Sequence, residues 1–197
     1  MNKSLERERP FMRREIPSVE SRDQQVAAHH SRVNELAVAI GGTMGLPADV
    51  RQCLRVAALC HDIGAVHILP QILLKPGFLT TGERMIVHSH PEIGFEMLSR
   101  VEFAWPIGEI ILQHHERLNG SGYPHHLMGE DIRIEARILA VADVLDAMTA
   151  PLPYRPVSGR DAAIREIRKN RGVLYDPQVV DAYLDGLRDE RIAAADL

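Results

Sequence analysis

Ten histidines in 197 residues are the part of this sequence best suited to chemistry, and their positions decide what kind. His30 falls with Val26, Val33 and Ala37 on the apolar stripe of an amphipathic helix, where a lone histidine is more often a hydrogen-bonded core residue than a ligand. His61 and Asp62 adjoin at the end of a second helix, and neighbouring side chains there diverge by about 100°, enough to face different ions. His90 precedes a proline at a helix junction, and His114 and His115 follow the apolar run at 110–112. Asp143 is set within ILAVADVL, apolar around most of its circumference, where an unpaired carboxylate costs several kcal/mol or takes a proton. It therefore needs a cation, and taken alone a structural salt bridge serves as well as a metal. Each signal is weak by itself. Together, imidazoles and carboxylates recur at the ends or buried faces of successive helices, which a bundle can bring to one interior point. Mixed nitrogen and oxygen donors without a thiolate set suit iron, manganese or zinc.

The elements that must position these groups are helices. Hydrophobic residues make up 45% of the chain but aromatics only 5%, so Leu, Ile, Val and Ala dominate and an all-α, single-domain bundle is expected. The spacing predicts a helix from about Val26 to Ile40 ended by Gly41 and Gly42, and a second from Pro47 to His61 and Asp62, closed by Gly64. A loop at 65–80, holding one short turn at 72–74, leads to a helix capped by Thr80 or Thr81, and Pro91 starts the next. Further helices are expected at 107–116, at 134–148 (the most apolar), and at 159–169 and 177–187. Residues 1–22 read as a charged lead-in, 23–190 as the domain and 191–197 as a polar tail.

The net charge of -4 excludes a basic field for gripping long nucleic acid. No run approaches the roughly 20 apolar residues of a membrane span, so no membrane insertion and a cytoplasmic location are expected. Cys53 and Cys60, seven apart on one predicted helix, would stand about 10 Å from each other, too far for a disulfide.

Six segments carry a resemblance: HSRV from His30, HDIG from His61, ILLKPGFLT from Ile72, HSHPEIG from His88, HHERLNGSGYP from His114 and RILAVADVLDAMT from Arg137. In this order and spacing, over roughly residues 26–185, they resemble the HD-GYP family. The resemblance implies an HD-type helical fold with a buried dinuclear, sometimes trinuclear, iron or manganese site, and hydrolysis of cyclic di-GMP. It implies that His30, His61, Asp62 and Asp143 hold the first ion. Asp62 would bridge to a second ion held by His90, His114 and His115, and His61 with Asp62 would be the catalytic pair. Tyr123 and Gly122 of the GSGYP loop, and Arg155, would contact substrate. Lys75 would have a structural role. On general grounds, two divalent ions carry about four positive charges against two from Asp62 and Asp143, leaving a positive pocket for a phosphodiester. A water shared by both ions would lose its proton near neutral pH and attack phosphorus in line.

Three departures from the family pattern matter. Val26, four residues before His30, stands where trinuclear members carry a glutamate, so two ions are expected. Ala65 replaces the lysine that follows HDIG, and Pro151-Leu152 replaces an acidic-arginine pair, so a positive charge and a substrate contact are lost; His67 or Arg117 could compensate. His29 and His88 are expected to point away from the ions, as surface or supporting residues, and His125 and His126 to be solvated. Asp146 is expected either to hold a ligand in place or to be a remnant of a third site. The expectation is an active phosphodiesterase. The alternatives are a module that keeps metal but only binds nucleotide or a partner such as a diguanylate cyclase, and a one-metal mononucleotide hydrolase that leaves His90, His114 and His115 unexplained.

Overall fold

The computed structural model describes residues 19–75, 77–150, 159–190 and 192. Leu152 and Arg155 lie outside them. The described residues form α1 (Val19–Thr43), α2 (Ala48–Cys60), a 3-10 turn (Ile63–His67), α3 (Pro70–Leu73), α4 (Thr81–His88), α5 (His90–Leu98), α6 (Ile107–Gln113), α7 (Ile134–Thr149), α8 (Arg160–Lys169) and α9 (Pro177–Arg188). No strand occurs among them, so the all-α expectation holds.

The helix that is apolar all round is the central one. Ala136, Ile138, Leu139, Val141, Ala142 and Leu145 of α7 are buried, and α1, α2, α6, α8 and α9 all pack on it. Truncating a fully buried side chain such as Leu139 to Ala would cost about 2–5 kcal/mol. α1 forms a second hub, packing on α2, α7 and α9, while α5 packs on α6 and on the 3-10 turn. The segment holding α3 and α4 is peripheral and buries none of its own helical residues.

Helix ends decide where the chemical groups point. α1 runs through Gly41 and Gly42 and ends at Thr43, where the amides of Gly45 and Leu46 return to the carbonyls of Gly42 and Gly41, with Gly45 at φ +72°. Gly41 is helical and serves as a contact point: a Cβ there would lie 2.8 Å from Leu54 of α2. α2 ends at Cys60, so Asp62 leaves helical geometry at φ -100°, ψ 14°. α6 likewise stops at Gln113, placing His114 at its cap. Thr80 and Glu83 form the reciprocal cap of α4, and Lys75 joins Glu83 at 2.6 Å, which gives Lys75 its structural role. Among the described residues, no helix is long and apolar enough to cross a membrane.

Candidate metal centre

Three histidines are aimed by the same local device. Nδ1 of His61 donates to the carbonyl of Ala58 at 2.7 Å, that of His90 to Val87 at 2.8 Å, and that of His114 to Ile111 at 2.5 Å. Each acceptor is a carbonyl three residues back, in or beside a last helical turn that leaves such groups without an intrahelical partner. A carbonyl cannot donate, so Nδ1 carries the proton and Nε2 presents a lone pair.

Those lone pairs converge on other acceptors. Asp62 Oδ1 lies 3.1 Å from Nε2 of His90 and 3.8 Å from Nε2 of His114, whereas Oδ2 lies 3.5 Å from His61 and 3.8 Å from His29. Nε2 of His90 and His114 are 3.3 Å apart, and those of His29 and His61 are 3.2 Å apart. Acceptors facing acceptors at these distances repel unless cations stand between them, so the donor set fits a metal centre. The carboxylate straddles two groups whose ligand atoms lie within coordinating reach: Asp62 with His90, His114 and His115 on one side, and His29, His61 and Asp143 on the other. A further grouping joins His30 with His61 and Asp62.

His29 corrects the sequence reading. It was expected to face away, yet its Nε2 is 3.6 Å from Asp143, and it, not His30, shares a group with that aspartate. Helical periodicity sets the direction of Cβ, but side-chain torsions decide where an imidazole ends, and the rings of His29 and His30 lean to within 5.6 Å of each other. What holds His29 is Asp146 from α7, which accepts from its Nδ1 at 2.6 Å and is clasped by Arg32 of α1. Asp146 is therefore a supporting acceptor for His29. His30 also faces inward, with a buried Nε2 that has no hydrogen-bond partner and a ring 5.0 Å from that of His61.

Close backbone approach explains two motif glycines. A Cβ on Gly64 would fall 2.0 Å from the carbonyl oxygen of His90, so only glycine lets the turn after Asp62 press against the start of α5. Gly122 is buried, and a Cβ there would meet the backbone of residues 115–117 at 2.4–2.5 Å. Its lack of a side chain is what lets the loop close on the segment after α6. The loop it belongs to is tied down by Glu116, which the sequence reading overlooked: this buried carboxylate accepts from the amides of His125 and Leu127 at 2.7 and 3.1 Å. A buried acid directly after two candidate ligands was the available signal. Tyr123 lies against His115 at 4.7 Å and stacks on His88 at 3.8 Å, so His88 supports the loop tyrosine.

The electrostatics follow from burial beside one carboxylate. Burial alone would raise the Asp62 pKa, but the imidazoles gathered around it, His61 first and then His114 and His90, outweigh burial and hold the carboxyl well below its ordinary value. Burial lowers His114, and burial with His114 and His90 nearby lowers His115 well below the ordinary histidine value, keeping both as neutral donors to a metal. Burial and His61 bring His30 down to about 4. Tyr123 is raised by burial and by Asp143, so its hydroxyl keeps its proton.

The position that lacks the lysine and its two possible substitutes have different surroundings. Ala65 sits half-buried in the 3-10 turn, its amide bonded to Asp62. His67 opens onto a surface groove with Ile93, Glu96, Met97 and Arg100. Arg117 donates from Nη1 to the carbonyls of His114 and Glu116, and its guanidinium lies 5.6 Å from the Tyr175 ring centre.

A helical bundle that gathers this His/Asp cluster around an HD dipeptide defines a class, and sequence comparison agrees. Residues 13–179 match the family model described as HD domain. The chain belongs to the HD domain family, and its intact GSGYP segment places it in the HD-GYP branch. It is 42% identical over 188 residues to the cyclic di-GMP phosphodiesterase response regulator RpfG of Xanthomonas campestris, covering 94% of this chain and 50% of that protein. It is 43% identical over 169 residues to a cyclic di-GMP phosphodiesterase of Thermotoga maritima, covering 84% of this chain and 45% of that protein. The chain thus spans about half the length of these curated relatives. Among solved structures, Bd1817 from Bdellovibrio bacteriovorus superposes with a TM-score of 0.69 at 22% identity, over 84% of this chain and 53% of that one, a likeness of fold.

Proposed function

We propose that this chain is the catalytic unit of a metal-dependent phosphodiesterase that hydrolyses a cyclic dinucleotide, cyclic di-GMP in the first instance, in the cytoplasm. The observation that carries the reading is the straddling carboxylate of Asp62, one oxygen toward His90 and His114 and the other toward His61 and His29. In this reading His29, His61, Asp62 and Asp143 hold one divalent ion and Asp62, His90, His114 and His115 a second, with iron or manganese suited to the mixed donors. The exposed neutral amide of Gln25, one helical turn before His29, takes the place that Val26 holds relative to His30, and favours two ions over three. When bound, such a pair neutralises charge on phosphate oxygens and lowers the pKa of water. The protein's own share is to fix the donors in advance. Main-chain carbonyls lock the tautomers of His61, His90 and His114, Asp146 and Arg32 lock His29, and Tyr123 presents a protonated hydroxyl beside His115. Arg155 remains a proposed substrate contact.

The curated relatives named as cyclic di-GMP phosphodiesterases support the choice of substrate. The test is whether protein loaded with iron or manganese under reducing conditions linearises cyclic di-GMP, and whether Asp62→Asn abolishes this. No product from the fully loaded protein would end the proposal. A second reading is favoured by Ala65, which puts a methyl where a cation is expected: a module that binds metal and nucleotide, or a partner such as a diguanylate cyclase, without efficient turnover. Calorimetry showing tight binding without cleavage, and turnover appearing in Ala65→Lys, would support it.

A further inference from the structure

The two histidines that flank Tyr123 come from different parts of the chain, and that arrangement has a use. His115 follows α6, in the segment that supplies His114. His88 ends α4, two residues before His90. The His88 and Tyr123 rings are parallel to 4° at 3.8 Å, and the opposite neighbour, His115, lies 4.7 Å from Tyr123 at 30°. Tyr123 itself is bound to the His115 side: its amide donates to the His115 carbonyl at 3.3 Å, Gly122 packs on the backbone of 115–117, and Glu116 holds the loop just beyond it. The loop and the end of α6 therefore form one unit, whereas His90 belongs to the α4–α5 junction. α5 already packs on α6, and the His88–Tyr123 stack adds a contact that ties the end of α4 to the loop unit.

We infer that His88 is a positioning residue that staples the two sources of the second-ion ligands together, His90 on one side and His114 with His115 on the other, by stacking on Tyr123. It touches neither the expected ion nor the reacting atoms, and its effect is on how closely the ligand set is held. The first-ion group draws on α1, α2 and α7 and does not depend on this stack. The inference rests on the two-ion reading above and predicts an unequal effect on the two ions.

The experiment is a manganese titration of the full chain, with bound metal per chain measured by elemental analysis at graded free manganese and the paired-ion signal followed by electron paramagnetic resonance. Wild type should bind two ions in separable steps. His88→Ala should weaken the second step by roughly three- to tenfold, the worth of one aromatic contact, and leave the first unchanged. His88→Phe, which keeps a flat ring, should restore the second step. Equal weakening of both steps, an unchanged second step in His88→Ala, or failure of His88→Phe to rescue would overturn the staple while leaving two-ion binding intact. A wild-type protein that saturates at one ion would overturn the two-ion reading and the staple with it.

Discussion

The two sides of Asp62 are built by different means. On the side of His90 and His114, the imidazoles are oriented by carbonyls three residues back, Val87 in the last turn of α4 and Ile111 in α6, so the geometry is local and follows wherever those helix ends go. On the other side His61 uses the same device, but its neighbour His29 is held by Asp146, 117 residues distant, and by Arg32 acting through that carboxylate. One half therefore depends on where helices stop, and the other on how α1 and α7 pack. A defect in helix ends should disturb the first, and a buried substitution in α7 the second.

The sharpest way to break the comparison is at the shared group. Asp62→Asn removes charge from both halves at once, and we expect both ions to be lost and turnover to fall by on the order of a thousandfold or more. Asp143→Asn, confined to the His29 side, should lose one ion and keep the other; metal content per chain separates the two results. Gly64→Ala comes next, because its Cβ would lie 2.0 Å from the His90 carbonyl and backbone must move. A cost of about 1–3 kcal/mol or more is expected, read as a lower midpoint in denaturant, with the His90 side disordered first. Asp146→Asn tests the other half: it keeps the shape but weakens the acceptor that orients His29. First-ion affinity should drop by roughly 10- to 100-fold, with the second ion retained. Equal loss of both ions would show that the halves are not independent.

These contrasts also mark what the sequence could disclose. Helix positions, a threonine cap at 80 or 81 and the gathering of His61, Asp62, His90, His114, His115 and Asp143 were legible because period, caps and buried charge are local properties; the reciprocal partner Glu83 was not named. The inward turn of His29 was not legible, because it is made by a carboxylate arriving from α7. The same reason hid the stacking of His88 on Tyr123 and the helical status of Gly41, whose partner Leu54 belongs to α2. The tight packing of Gly122 on residues 115–117 was hidden as well, because motif membership names a loop without saying which of its residues pack inward. Leu152 and Arg155 lie outside the described residues, so their roles rest on the motif pattern.

The smallest effect belongs to a region that neither half of the centre needs. Glu83 is brought down from 4.5 to about 2, first by its hydrogen bond from Lys75 and then by the amide and hydroxyl of Thr80. A carboxyl whose folded pKa lies below its unfolded value stabilises the fold fully above the unfolded value, and loses that contribution as pH falls through the folded one. The window is therefore from about pH 4.5 down to about pH 2. Glu83→Gln should melt slightly lower than wild type at pH 6, and the gap should narrow on acidification to pH 3. Because Lys75 and Glu83 lie on the peripheral segment around α3 and α4, metal content at neutral pH should match wild type. Loss of an ion in Glu83→Gln would mean that this segment transmits to His90 through α4, and that the ligand halves are less local than their hydrogen bonds suggest.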